Sequence, residues 1–239
     1  MKNRVRGLAV VAAALLCFAL PALGQNTNVF FNGGFQGDIY GGGADGNVGT
    51  GFYDGSINGV IVGPGGSSPG MVCDDYSHDI TAGESWTANG INAASLNAGN
   101  IGQTEFGAAI GLSGYTEIAY LVNQMFSTNP NSATQSAISQ AIWFITSGGA
   151  STKGGLLAGA ALTFFNNAIA FGGSLSDFAN LWVYTPLPNN GPQEMWGVVA
   201  VPEGGAALLY LLLAGVSCFG AMFFRSRKQG AKSLMALFP

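Results

Sequence analysis

Residues 71–80 read MVCDDYSHDI, and the fold turns on how this stretch is taken. Val72, Tyr76 and Ile80 recur with even spacing among polar residues, which is the pattern of a strand with one buried face. Gly83, Glu84, Ser85 and Trp86 begin the predicted partner strand. Cys73, His78 and Asp79 invite comparison with a nucleophile, a base and an acid. On a strand, however, five residues separate Cys73 from His78 by about 16 Å and put them on opposite faces. A catalytic pair needs hydrogen-bond reach, and His78 is the only histidine in the chain. No catalytic residue is predicted. Asp74, Asp75, Asp79 and Glu84 carry the oxygen donors that calcium takes. A solvated acidic strand edge accounts for them as well and is the preferred reading, so no metal and no cofactor is predicted. Asp75 and Glu84 are the carboxyl pair from which a secreted hydrolase would be built, since two carboxyls suffice for glycoside hydrolysis. Only their presence points that way.

On the N-terminal side, residues 26–70 are rich in glycine with scattered aromatics. NVFFN at 28–32 and GVIVG at 59–63 read as short strands between turn clusters. GGGADGN at 41–47 reads as a plain glycine-rich loop, because a calcium-binding repeat needs stacked copies and there is one. On the C-terminal side the period changes. Ile118, Leu121, Val122 and Met125 take the i, i+3, i+4, i+7 spacing of one helix face within residues 115–126. Pro130 ends that helix. Ser132, three residues before Gln135, opens a second helix in a capping-box arrangement, with Ala137, Ile138, Ala141, Ile142 and Ile145 as its apolar stripe. A third helix over residues 155–171 is apolar around most of its girth and is expected to be the buried one. Strands return at 181–184 and 195–201.

The two ends of the chain read as addresses. Lys2, Arg4 and Arg6 precede an apolar core from Leu8 to Leu20, then Pro21 and the small-x-small triplet Ala22, Leu23, Gly24, the order of a secretory signal peptide with Gln25 as the new N-terminus. Near the other end, residues 206–224 carry no charge, and about 20 apolar residues suffice to cross a hydrocarbon core as a helix. Arg225, Arg227, Lys228 and Lys232 follow, and basic residues beside a span stay on the cytoplasmic side. The predicted organisation is therefore a signal peptide (1–24), one extracytoplasmic domain (25–200) and a C-terminal signal (201–232) containing a transmembrane helix at 206–224. The fold class expected is α+β: β-sandwich or barrel-like strands with an inserted two- to three-helix subdomain, plus that one C-terminal transmembrane helix.

Composition narrows the partners. Residues 25–203 hold Lys153 as their only Lys or Arg against all twelve acidic residues, a net charge near −11. Such a surface repels phosphates, which excludes nucleic acid as a partner. Cys17 lies in the leader and Cys218 in the apolar run, so Cys73 stands alone in the exported part, without an intramolecular disulfide or a multi-cysteine metal site.

Val201, Pro202 and Glu203, a small-residue joint at Gly204 and Gly205, the apolar run and the basic residues Arg225, Arg227 and Lys228 together resemble the PEP-CTERM sorting signal. That family's usual fourth residue is a second proline, where this chain has Gly204. The resemblance implies export in a Gram-negative cell, with signal peptidase and the secretion machinery, the inner membrane as a transient anchor, and an exosortase-like membrane protease as partners. The destination it implies is the cell surface or extracellular matrix, where polysaccharide or a surface ligand would be met.

Val72-Cys73-Asp74-Asp75 and Ile138-Ser139-Gln140-Ala141-Ile142-Trp143 resemble a second family, the thioester domains of bacterial surface adhesins. There a cysteine in an aliphatic-Cys-x-acidic motif joins a glutamine in a hydrophobic-Gln-x-x-hydrophobic-Trp motif, and the thioester traps an amine. Cys73, Ile138, Ile142 and Trp143 match, but Ser139 fills the glutamine position and Gln140 comes one residue late, about 100° further around the helix. The resemblance implies a thioester-like scaffold without its bond. The function expected is an exported, non-enzymatic structural or adhesive protein, with a covalent adhesin module using Cys73 as the alternative.

Overall fold

The structure is a computed structural model that describes residues 25–43, 46–66, 68–149, 157–189 and 191–198. In chain order it runs β1 (Gln25–Phe35), β2 (Ile39–Gly43), β3 (Gly46–Gly49), β4 (Phe52–Ile57), β5 (Val60–Val62), β6 (Met71–Cys73) and β7 (Ser85–Asn92). Helices α1 (Gly107–Thr128), α2 (Ser132–Thr146) and α3 (Gly159–Ile169) follow, and then β8 (Trp182–Pro186) and β9 (Met195–Gly197). Hydrogen-bonded neighbours run β1-β7-β8-β9-β6-β4, and β4 pairs back onto β1, so six antiparallel strands close into a barrel. The second edge of β4 is divided between β6, at Phe52↔Val72, and β5, at Gly55↔Val62.

Successive side chains on a strand point to opposite faces, and here both faces are covered. Met71 and Cys73 turn inward to join Phe31, Tyr53, Tyr184 and Met195 in the barrel interior. Val72, between them, turns outward with Phe52, Val183 and Trp196 and meets the helices. Ile118, Leu121 and Val122 of α1 and Ile138, Ile142 and Trp143 of α2 complete that second core. The helices thus have no core apart from the barrel wall.

This corrects the fold class expected from the sequence. The strands form a closed barrel, and the three helices are a layer on its outer wall instead of an inserted subdomain. None of the described helices is long and apolar enough to cross a membrane; the run expected to form a transmembrane helix, 206–224, lies outside the described residues, as do the sorting-motif residues Val201 to Gly205, Arg225, Arg227 and Lys228. Further corrections are local. The strand expected over 71–80 stops at Cys73, because Asp75 Oδ1 accepts from the backbone N–H of Ser77 and of His78, at 2.7 and 3.2 Å, and turns the chain. Its partners are β4 and β9, not the strand that begins near residue 85. The glycine-rich segment expected as a plain loop contributes residues to two antiparallel paired strands, β2 and β3. Helix α3 is peripheral, with only Ala161 and Ala168 buried and Ile169 54 % exposed.

The pair α1 and α2 begins and ends for local reasons. Asn129, at φ 41°, closes α1 in the left-handed region that asparagine tolerates. The cap of α2 is Asn131, whose side chain accepts from Thr134 N at 3.0 Å. Gln135, expected as the far half of a capping box, instead turns inward, accepting from Phe52 N at 3.2 Å and donating to Pro130 O at 2.9 Å.

Candidate functional site

The site is set by the register of β6 on β9. Val72 pairs with Trp196 and Cys73 with Met195, and just beyond, Asp74 N donates to Glu194 O at 3.4 Å. Strand parity then sends Cys73 and Gln193 to the barrel side and Asp74 and Glu194 to the helix side.

On the barrel side the thiol of Cys73 donates to Gln193 Oε1 at 3.1 Å and to Asp75 O at 2.9 Å, one hydrogen serving two acceptors in turn. The other end of the carboxamide is fixed too, because Gln193 Nε2 donates to His78 O. Cys73 is 1 % and Gln193 3 % exposed. Burial, then the adjacent Asp75 and Asp74, push the thiol well above its ordinary pKa, so it stands as a neutral S–H donor. Trp143, fully buried on α2, donates from Nε1 to Cys73 O at 3.2 Å. Gln193 also lines a cleft of about 230 Å³ with Phe31, Phe35, Tyr53, Asp79 and Ile80. Gln193 thus forms part of the cleft wall, which Cys73 does not line.

The helix side holds acids. Trp196 Nε1 donates to Asp74 Oδ2 at 2.6 Å. Glu194 Oε1 accepts the Tyr115 hydroxyl, and Oε2 accepts Glu105 N at 3.0 Å together with the Thr185 hydroxyl. No Lys or Arg is found among the described residues. Burial, reinforced by Glu194, raises Asp74 far above the carboxylate range, and burial raises Glu194 also. Asp74 Oδ1 is buried without an acceptor's usual partner. A proton on Asp74 shared with Glu194 satisfies it and removes one of two buried charges.

A third group lies on the turn. His78 Nδ1 is 2.6 Å from Asp75 Oδ2 and 3.1 Å from Glu105 Oε1. Asp75 is buried, and its Oδ1 also accepts the Ser77 hydroxyl at 2.7 Å. Glu105 is pushed up to about 9 by burial, then by Asp75 and Glu194.

The residues singled out in the sequence are distributed unevenly over this geometry. Cys73 and Trp143 meet. Ser139 is buried and accepts from Gly51 N at 2.9 Å, so it belongs to a backbone contact away from the thiol. Gln140 is only half buried and is not the glutamine beside Cys73; Gln193 is. Glu84 accepts from Thr81 N at 2.8 Å, and the donors that converge are those of Asp75, His78 and Glu105, not the calcium set of Asp74, Asp75, Asp79 and Glu84. Cys73 and His78, expected far apart on one strand, are linked across the turn, since the His78 carbonyl and Cys73 hold the same carboxamide. Gln193, Glu105 and Glu194 were not read from the sequence. Gln193 had one signal: it sits two residues before a predicted strand, on the same parity as Met195. No family model matches the chain, and no characterised protein or solved structure matches it either.

Proposed function

We propose that this is an exported, non-enzymatic adhesive protein of the cell envelope or extracellular matrix, whose barrel carries an internal thioester between Cys73 and Gln193. The observation that supports it is the 3.1 Å contact between the Cys73 thiol and the Gln193 carboxamide, buried together. In the bond-forming step Sγ attacks the amide carbon, the C–N bond breaks, and the thiol proton leaves with the nitrogen as ammonia. A primary amine arriving through the cleft then attacks the acyl carbon, forming an amide at residue 193 and returning the thiol. One covalent capture per chain follows, with no turnover.

Delivery rests on the leader and on the sequence from Val201 to Lys228. These would engage signal peptidase, the secretion machinery and an exosortase-like membrane protease at the inner membrane. Substitution of Pro202 and Glu203 that left maturation and location unchanged in the host would remove the sorting half of the reading. The binding half is tested with a fluorescent primary amine: the wild-type chain should retain the label after denaturation and Cys73→Ala should not. Equal labelling of the two, or of neither, would end it.

A further inference from the structure

Asp75, His78 and Glu105 each offer one donor atom, and these atoms lie within 4.8 Å of one another. The imidazole Nδ1 stands between two carboxyl oxygens, 2.6 Å from Asp75 and 3.1 Å from Glu105. Glu105 is the informative member. Its side chain is 7 % exposed, yet its second oxygen, Oε2, is buried with no hydrogen-bond partner. A carboxyl oxygen taken out of water with nothing to accept from is costly. Asp75, in contrast, is aimed: three donors from Ser77 and His78 hold its Oδ1 and leave Oδ2 for the group. Outer hydrogen bonds of this kind fix the carboxylate ligands of metal centres.

We propose that Asp75 Oδ2, His78 Nδ1 and the Glu105 carboxyl bind a divalent first-row transition cation, with zinc the best fit. One imidazole and two carboxylates are the N and O donors zinc accepts, and three protein ligands leave a position open beside the partly exposed His78. Calcium takes six to eight oxygens and is poorly served by a central imidazole. Donors around zinc stand roughly 3.4 Å apart, so the cation widens the 2.6 Å contact by about 0.8 Å. The cation takes the place of a proton, which is the other means of neutralising Glu105. The site shares its turn with the thiol, since Asp75 O and His78 O hold Cys73 and Gln193, but it does not depend on a bond between those two.

The test is calorimetric titration of zinc into the full, tag-free chain after stripping with a chelator. One equivalent per chain is expected. Affinity should fall by more than about tenfold in His78→Gln and in Glu105→Gln, each checked by circular dichroism, and stay unchanged in Cys73→Ser. Should Glu105→Gln fail to fold, His78→Gln, at a side chain 37 % exposed, carries the test. No stoichiometric uptake by the wild type would mean that a proton alone neutralises Glu105. That result would overturn the proposal, as would affinity indifferent to the His78 and Glu105 changes, or lost only with Cys73→Ser.

Discussion

Gln193 Oε1 accepts the thiol of Cys73 at 3.1 Å, although 120 residues separate the two in the chain. The pairing follows from the β6–β9 register and from strand parity, which put both on the barrel side. Gln193→Ala should therefore abolish amine capture, whereas Gln140→Ala, on the half-buried flank of α2, should leave it intact. Capture assays on the two variants with the same labelled amine separate the glutamines. Loss with Gln140→Ala and retention with Gln193→Ala would reverse the assignment.

Trp143 ties α2 to the site through its bond to Cys73 O. Trp143→Phe keeps most of the buried ring but leaves that carbonyl short of a donor, and should cost about 1–2 kcal/mol. Trp143→Ala, which also opens a cavity, should cost about 3–5 kcal/mol. Denaturant midpoints of both variants check the order; no loss in Trp143→Phe would mean that the indole N–H contributes nothing.

Asp74 carries the shared proton with Glu194, so a neutral isostere should fit. In Asp74→Asn the amide nitrogen donates to Glu194 and the amide oxygen accepts from Trp196 Nε1, at a cost below about 1 kcal/mol. Asp74→Ala strands both partners and should cost about 2–3 kcal/mol. Equally severe loss in Asp74→Asn would show that Asp74 is ionised in the folded chain.

Stability should fall as the solution is made alkaline. Glu105 holds its proton up to about 9 when folded but sheds it near 4.5 when unfolded, and Asp74 and Glu194 are raised in the same direction. Between those values the folded chain binds more protons, so its advantage is complete below about 4.5 and drains away as pH climbs toward 9. The groups facing Glu105 are Asp75, Glu194 and His78, and two of the three are acids. In metal-free buffer the melting temperature at pH 5 should exceed that at pH 9 by at least about 3 °C, the shift of roughly 1 kcal/mol in a chain this size. A melting temperature that rises over the interval would contradict the buried-acid account.

Much of the helical layer was legible in the sequence because α1 and α2 carry apolar stripes at a 3.6-residue period, although α2 is buried around most of its girth. Even there a short turn from Gly107 precedes the striped helix and is set off from it by a kink at Gly111, φ 62°, a conformation that suits glycine. The barrel was not legible. Met71, Val72 and Cys73 are all buried, as are Met195, Trp196 and Gly197, and strands covered on both faces do not alternate. The even spacing of Val72, Tyr76 and Ile80 suggested a long strand, but the hydrogen-bonding side chain of Asp75 breaks it after Cys73. Of the site itself, Cys73 and Trp143 stood out by local motif. Gln193 and Glu105 join them only through long-range pairing, which no local pattern encodes.

A bond between Cys73 and Gln193 would be read out in the intact mass of the chain. The expected mass is lower than the sequence requires by one ammonia, with the deficit replaced by one amine mass after incubation with methylamine. A chain of full mass whose Cys73 titrates as a free thiol once unfolded would contradict it.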